Sequence, residues 1–190
     1  MMPRHVMDAA SPARGATGEA DAPAHEPSLV AELVLLVLKV AFVLGFVAMV
    51  FVFLFGMVQQ PDGSMDPALR EGDLIVYYRL QKEYAAGDVI VVDDGDTKEL
   101  RRVIAVAGDT VDFTSDGLVV NGYHQSEDRI YAETLPFTAG ISYPITVGEG
   151  QVFVMGDNRT GSKDSRLYGP VDIESGTEGK VMTVVRRRNF

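Results

Sequence analysis

The apolar residues of this chain follow one pattern near the N-terminus and a different one after residue 60. Residues 33–58, LVLLVLKVAFVLGFVAMVFVFLFGMV, are apolar on every face of a helix and contain one charged residue, Lys39. The part after Lys39 runs for 19 residues without a charged or strongly polar side chain. At about 1.5 Å per residue, that length is close to the ~30 Å thickness of the hydrocarbon core of a bilayer. The pattern predicts a transmembrane helix in contact with lipid through residues 33–58, and we place the whole anchor at 29–58.

Two other interpretations of this apolar run fit less well. A cleaved secretory signal has a short positive leader, a shorter apolar run and small residues at its exit, whereas this run is long and continues as QQPD. The core helix of a soluble protein does not need apolar side chains on all its faces. An uncleaved anchor is therefore the prediction.

After residue 60 the apolar residues come in short β-branched and aromatic runs separated by polar segments that contain glycine. Such runs are typical of strands, and Asn121-Gly122 is a strong hairpin signal. The predicted strands are 73–80, 88–94, 99–113 with an interruption at Gly108, 117–124, 150–158 and 179–187. No helix is predicted here apart from a turn at 66–70. The predicted fold class is mainly β, with a single N-terminal transmembrane helix followed by an antiparallel β domain at 59–190.

Composition and charge narrow the possible functions. Residues 1–28 are rich in Ala, Pro, Gly and acids, with few large apolar side chains, which predicts a disordered tail. Residues 59–190 carry a net charge of −8, and an acidic domain repels nucleic acid. The chain has no cysteine, and His124 is the only histidine after the anchor. We therefore expect no nucleic-acid partner, no metal site, no cofactor and no Ser-His-Asp triad.

Three polar stretches adjoin predicted strands and contain the candidate chemistry. They are GSMDPALREGD at 63–73, LRRVIAVAGD at 100–109 and GDNRTGSKDSRLYGPV at 156–171. Loops held by a rigid sheet commonly carry binding and catalytic residues. In this order, the stretches resemble the motifs of the type I signal peptidases, the membrane-anchored serine proteases that remove signal peptides from exported proteins. The matching positions are Ser64, Met65, Pro67, Leu69, Gly72, Asp73, Arg102, Val103, Ile104, Gly108, Asp109, Gly156 to Arg159, Ser162, Asp164, Ser165, Arg166 and Gly169.

The resemblance implies roles for individual residues. Ser64 would be the nucleophile, its N–H would be one oxyanion donor, and Met65 would line the site. Ser162 matches the serine that orients the general base of the family, and Asp164 and Arg166 match a structural ion pair. The domain would be a β peptidase domain of the signal peptidase type on the outer face of the cell membrane, with the N-terminus in the cytoplasm. Its substrates would be signal peptides of secreted precursors, bound as an added strand.

Arg101 occupies the position where the family has its general-base lysine. A buried lysine reaches a pKa of about 7 to 8 and accepts the serine proton, whereas arginine starts at about 12.5 to 13.8. Lys98 and Arg102 should point to the opposite face of the strand from Arg101, because their offsets from it are odd. His124 follows a hairpin turn, so Lys163 is the more plausible replacement base.

Asp62 is a second position where the sequence departs from the family pattern, because some members carry a serine there whose hydroxyl completes the oxyanion hole. A carboxylate would repel the developing oxyanion, so we expect Asp62 to point outward. Two functions remain open: a signal peptidase with an atypical base, and a non-cleaving relative that binds or assembles exported or pilus proteins. Ser64 favours the first and Arg101 favours the second, and the peptidase is the preferred hypothesis. The related self-cleaving repressors are disfavoured by the anchor and the acidic domain.

Overall fold

The structure is a computed structural model that describes residues 28–127, 130 and 132–186. The predicted disordered tail lies outside these residues, except for Ser28. The chain divides into two compact units, residues 1–43 and 44–190. In chain order the elements are α1 (Leu29–Leu54), β1 (Phe55–Gln59), β2 (Leu74–Tyr78), β3 (Val89–Asp93), β4 (Lys98–Val106), β5 (Thr110–Thr114), β6 (Gly117–Val120), β7 (Tyr123–His124), β8 (Ile145–Thr146), β9 (Gln151–Met155), α2 (Ser165–Tyr168), β10 (Val171–Asp172), α3 (Ile173–Gly176) and β11 (Thr177–Val185).

Helix α1 has the length and composition of a membrane-spanning helix, and none of its side chains is buried. It ends at Leu54, whereas the predicted anchor extends to residue 58. The chain continues without a linker into β1, which pairs antiparallel with β2 from Phe55 opposite Tyr78 onwards. Gly56 permits this close pairing, since a Cβ atom at this position would lie 2.1 Å from the Tyr77 ring. The sequence does not reveal this change from helix to strand, because apolar residues at 55–58 suit a membrane helix and a strand equally.

The β domain consists of two antiparallel sheets. The larger sheet has the order β1-β2-β11-β3-β4-β9-β10, and the smaller one has the order β7-β6-β5-β8. The six predicted strand regions all contain strands, and the long run is divided between β4 and β5 at Gly108, whose φ is +89°. Asn121 and Gly122 have φ of 54° and 81° and join β6 to β7 as the predicted hairpin. The short elements β8, β10, α2 and α3 are not predicted by the sequence pattern.

Residue 101 lies on strand β4, which is an interior strand of the larger sheet, between β3 and β9. One apolar cluster packs beside it and consists of buried Met65, Leu69, Ile75 and Leu100. Two further apolar clusters of buried residues include Phe153 and Val154, respectively. The turn that contains Ser64 is therefore packed on the sheet through the two residues Met65 and Leu69.

Candidate active site

Ser64 lies in the turn that follows β1, and its residue is only 2% exposed. Its Oγ accepts a hydrogen bond from Arg101 Nη1 at 3.0 Å. It accepts a second, longer one from Gln60 Nε2 at 3.3 Å. Both side-chain neighbours of the serine oxygen are therefore donors, and a guanidinium group has no acceptor atom to offer.

Acceptors on three neighbouring residues fix Arg101, which is 1% exposed. Its Nη2 donates to Glu99 Oε2 at 2.7 Å, its Nη1 donates to the carbonyl of Leu100 at 2.7 Å, and Nε and Nη2 both donate to the carbonyl of Lys163 at 3.2 and 2.9 Å. Glu99 lies two residues before Arg101 on β4, so both side chains point to one face of the sheet. The guanidinium is thus held as a positioned cation beside Ser64.

Glu99 is the carboxylate partner of this cation. Burial raises the pKa of Glu99 above its ordinary value, and the negative charges of Asp94 and Asp62 raise it further. The positive charges of Arg101 and Lys163 act in the opposite direction. The negative charges of Asp62 and Glu99 therefore lie close enough to interact.

Asp62 turns towards the serine. Its Oδ1 accepts from the Ser64 backbone N–H at 2.9 Å and from Gln60 Nε2 at 3.1 Å. The Asp62 carboxylate is exposed, but it does not point away from the serine as predicted, because a side chain two residues before an N–H readily closes this type of turn. The N–H expected to bind an oxyanion is consequently bound to a carboxylate in this structure.

The third polar stretch packs directly on the serine turn. Asn158 N donates to the carbonyl of Ser64, and Asn158 Nδ2 donates to the carbonyl of Gly63, both at 3.0 Å. A Cβ atom on Gly156 would lie 2.6 Å from the Ser64 carbonyl oxygen and 2.4 Å from Ser162 Cβ. Glycine at 156 is therefore required for the close approach of the two stretches.

Asp164 and Arg166 form the ion pair that the resemblance implies. Arg166 Nε and Nη2 donate to the two Asp164 oxygens at 2.8 and 2.9 Å, and both side chains are buried. The Ser162 hydroxyl donates to Asp164 Oδ2 at 2.6 Å and accepts from Arg166 Nη2 at 3.3 Å. Residue 101 is oriented by contacts with Glu99 and the Lys163 carbonyl.

The other sequence candidates have separate partners. Lys98 pairs with Glu178 at 2.8 Å, and Arg102 binds both oxygens of Asp157 at 2.7 and 2.5 Å, so both point away from Ser64 as predicted. His124 lies exposed on β7 in the smaller sheet. Met65 belongs to the buried apolar cluster and supports the turn from within.

Lys163 reaches the site through its backbone, and its side chain lies at the exposed surface. The sequence interpretation did not identify Gln60 or Glu99 as contacts of the site. The period-2 alternation of a strand identifies Glu99 once Arg101 is chosen, whereas Gln60 carries no comparable signal. Within the described part of the chain, no group of three or more acidic or histidine side chains has the arrangement of a metal site.

A serine oxygen in contact with a basic side chain on a strand, without a histidine, is typical of the serine peptidases that depart from the Ser-His-Asp arrangement. The family described as signal peptidase, peptidase S26, matches residues 33–185, and the chain belongs to this family.

Two relatives agree with this assignment in sequence. Signal peptidase I of Bacillus licheniformis is 38% identical over 126 residues, which cover 60% of this chain and 67% of the relative. Signal peptidase I P of Bacillus subtilis subsp. natto is 33% identical over 141 residues, or 66% of this chain and 75% of the relative. The crystal structure of a signal peptidase I from Enterococcus faecalis has a TM-score of 0.42 and 30% identity, and the match covers 53% of this chain and 97% of that chain.

Proposed function

We propose that this protein is a signal-peptidase-type serine endopeptidase that cuts exported precursors, with Ser64 as nucleophile and Arg101 as the cation that stabilises the deprotonated serine oxygen. The observation that carries the proposal is the 3.0 Å contact from Arg101 Nη1 to Ser64 Oγ inside the protein. Relatives named signal peptidase I, at 33% and 38% identity, support the choice of reaction and of substrate class.

The donors around Ser64 determine how the nucleophile is activated. Arg101 and Gln60 both direct N–H groups at Oγ, and such donors stabilise the alkoxide more than the neutral hydroxyl. Preorganised donors of this kind contribute about 10²- to 10³-fold in rate when they act on a developing negative charge. Arg101 is thus an electrostatic stabiliser, which is a different role from that of a general-base lysine.

The serine proton is transferred to solvent in this mechanism. Hydroxide takes the proton of Ser64 Oγ, and the alkoxide attacks the carbonyl carbon of the scissile bond to form a tetrahedral oxyanion. The C–N bond then breaks as the leaving amine takes a proton from water, and a second water molecule hydrolyses the acyl ester on Ser64. No step requires a neutral arginine.

Asp62 opposes this reaction in its present position. The single hydrogen of the Ser64 N–H is donated to Asp62 Oδ1, so the carboxylate must leave before an oxyanion can bind there. A carboxylate about 4 Å from the oxyanion adds a repulsion of about 4 kcal/mol at an effective dielectric constant of about 20. We therefore expect slow turnover until Asp62 is displaced or neutralised.

The proposed location is a cell membrane, with α1 as a single-pass anchor, the N-terminus in the cytoplasm and the β domain outside. Signal peptides of secreted precursors are the proposed substrates, with small side chains at the positions one and three before the cut.

A non-cleaving binding or assembly factor for exported proteins is the second candidate function. The contact of Asp62 Oδ1 with the Ser64 N–H favours it, because the same geometry that closes the turn also fills the oxyanion position.

Cleavage of a radiolabelled secretory precursor by the detergent-purified full chain tests the proposal. The native chain, Ser64→Ala, Arg101→Lys and Arg101→Gln are compared across pH. We expect Ser64→Ala to abolish cleavage and Arg101→Gln to lower kcat/KM by about 10²- to 10³-fold. For the native chain, kcat/KM should rise about tenfold per pH unit from about pH 6 to pH 9, because hydroxide is the base. Arg101→Lys should instead give a plateau above a pKa of about 7 to 8.

Three results are decisive. A plateau near neutral pH in the native chain would show that a protein group is the base and would refute the role given to Arg101. Cleavage that persists in Ser64→Ala would refute the nucleophile. No cleavage by the native chain, with cleavage gained in Arg101→Lys, would establish the non-cleaving function.

A further inference from the structure

Of Arg101, Gln60 and Asp62, the three side chains that hydrogen-bond to Ser64, Asp62 is the exposed one. Arg101 and Gln60 are each 1% exposed, whereas Asp62 lies at the surface. A polypeptide chain bound beside Ser64 would therefore meet the carboxylate of Asp62 before it meets the two buried donors.

The hydrogen-bond partners of the Asp62 carboxylate carry no positive charge. Its two donors are the neutral N–H groups of Ser64 and Gln60. Arg101, the cation of the site, is paired with Glu99 at 2.7 Å and with two backbone carbonyls. Among the residues that the structure describes, no lysine or arginine forms an ion pair with Asp62. An exposed carboxylate without a cationic partner therefore lies next to the nucleophile.

We propose that Asp62 is a specificity-determining residue that selects exported precursors with a lysine or arginine close to the scissile bond. The inference rests on the proposed function and names its preferred substrates. A substrate cation that pairs with Asp62 draws Oδ1 away from the Ser64 N–H, and that N–H then becomes available to the oxyanion. The same pairing neutralises the carboxylate that repels the oxyanion. A substrate with an acidic residue at this position leaves both obstacles in place.

The test uses synthetic peptides that span one cleavage region and differ at a single position. Lys, Gln or Glu is placed either two residues before the cut or directly after it, so that the small residues one and three before the cut remain. The full-length chain is compared with Asp62→Asn, which keeps an Oδ1 acceptor for the turn but removes the charge. Glu71→Gln is the matched control, because it removes one negative charge from an exposed residue in the adjacent turn.

We expect kcat/KM of the native chain to favour Lys over Glu by on the order of tenfold or more at one of the two positions. Asp62→Asn should reduce this ratio to about twofold or less and should raise the rate on the Gln peptide. Glu71→Gln should keep the ratio. A native chain without a charge preference, or a preference that survives in Asp62→Asn, would overturn the inference.

Peptide binding, measured by fluorescence anisotropy on the Ser64→Ala chain with and without Asp62→Asn, separates this inference from the proposed function. A preference for the Lys peptide that depends on Asp62, in a protein that cleaves nothing, supports the role of Asp62 and refutes the peptidase. Cleavage that depends on Ser64, without any charge preference, refutes the role of Asp62 and leaves the peptidase standing. The absence of both cleavage and charge-dependent binding refutes both.

Discussion

Replacing Asp164 with alanine tests whether the loop that supports the serine turn depends on one buried carboxylate. Asp164 is 0% exposed, and its oxygens accept from the guanidinium of Arg166, from the hydroxyl of Ser162 and from the backbone N–H groups of Gly156 and Arg166. The substitution leaves the buried Arg166 cation without its counter-ion. Removing one member of a buried ion pair lowers the free energy of unfolding by about 3 to 5 kcal/mol.

The expected change in melting temperature follows from the size of the domain. With about 2.1 cal/mol/K of unfolding entropy per residue and about 130 residues, 1 kcal/mol corresponds to about 4 °C. Asp164→Ala should therefore lower Tm by about 11 to 18 °C. Circular dichroism on the detergent-solubilised full chain measures this change, since the protein has no tryptophan for fluorescence.

Asp172→Ala is the matched control. Asp164 and Asp172 both cap four-residue helices with their side chains, but Asp172 lies at the exposed surface. Loss of an exposed cap costs about 1 kcal/mol, or about 4 °C here. The double variant Asp164→Ala/Arg166→Met should recover part of the loss, because no unpaired buried charge remains. Equal Tm decreases for Asp164→Ala and Asp172→Ala would refute the reasoning.

Two further substitutions have expected outcomes. The hydrogen bond from Lys98 holds the pKa of Glu178 below its ordinary value of 4.5, so the stability difference between the native chain and Glu178→Gln should be full above about pH 5 and shrink as pH falls through the lowered pKa. Urea unfolding at several pH values measures this difference, and a difference that grows towards low pH would contradict the assignment. Gly156→Ala should lower stability by about 1 to 3 kcal/mol and reduce cleavage, because the added Cβ would lie 2.6 Å from the Ser64 carbonyl oxygen. Gly45→Ala, which meets no atom within 4 Å, should leave thermal unfolding unchanged, and equal effects of the two alanines would exclude the proposed clash.

The strands of the β domain could be predicted from the sequence because each one alternates or concentrates apolar residues between glycine turns. The division at Gly108 and the hairpin at Asn121-Gly122 have local signals that the structure confirms. Strand β1 could not be predicted in this way. Its partner β2 lies 15 or more residues further along the chain, and the residues of β1 also suit the end of a membrane helix.

The predicted site residues come together in part. Ser64 and Arg101 meet at 3.0 Å, and Asp164 pairs with Arg166. The hydrogen bond from the Ser162 hydroxyl to Asp164 Oδ2 could not be predicted, because it depends on the conformation of the folded loop. The direction of Asp62 was predicted from electrostatic repulsion alone, whereas the local turn geometry determines it.

The direct continuation of α1 into β1 limits where along a precursor the proposed peptidase would cut. Since β1 is paired with β2 from its first residue, no slack segment lies between the apolar helix and the sheet. Ser64 follows Leu54 by ten residues, of which the five in β1 span about 17 Å. Under the proposed function, with α1 in the bilayer, this short covalent link of ten residues limits how far Ser64 can lie from the lipid. A scissile bond would then have to lie within the same reach of the membrane.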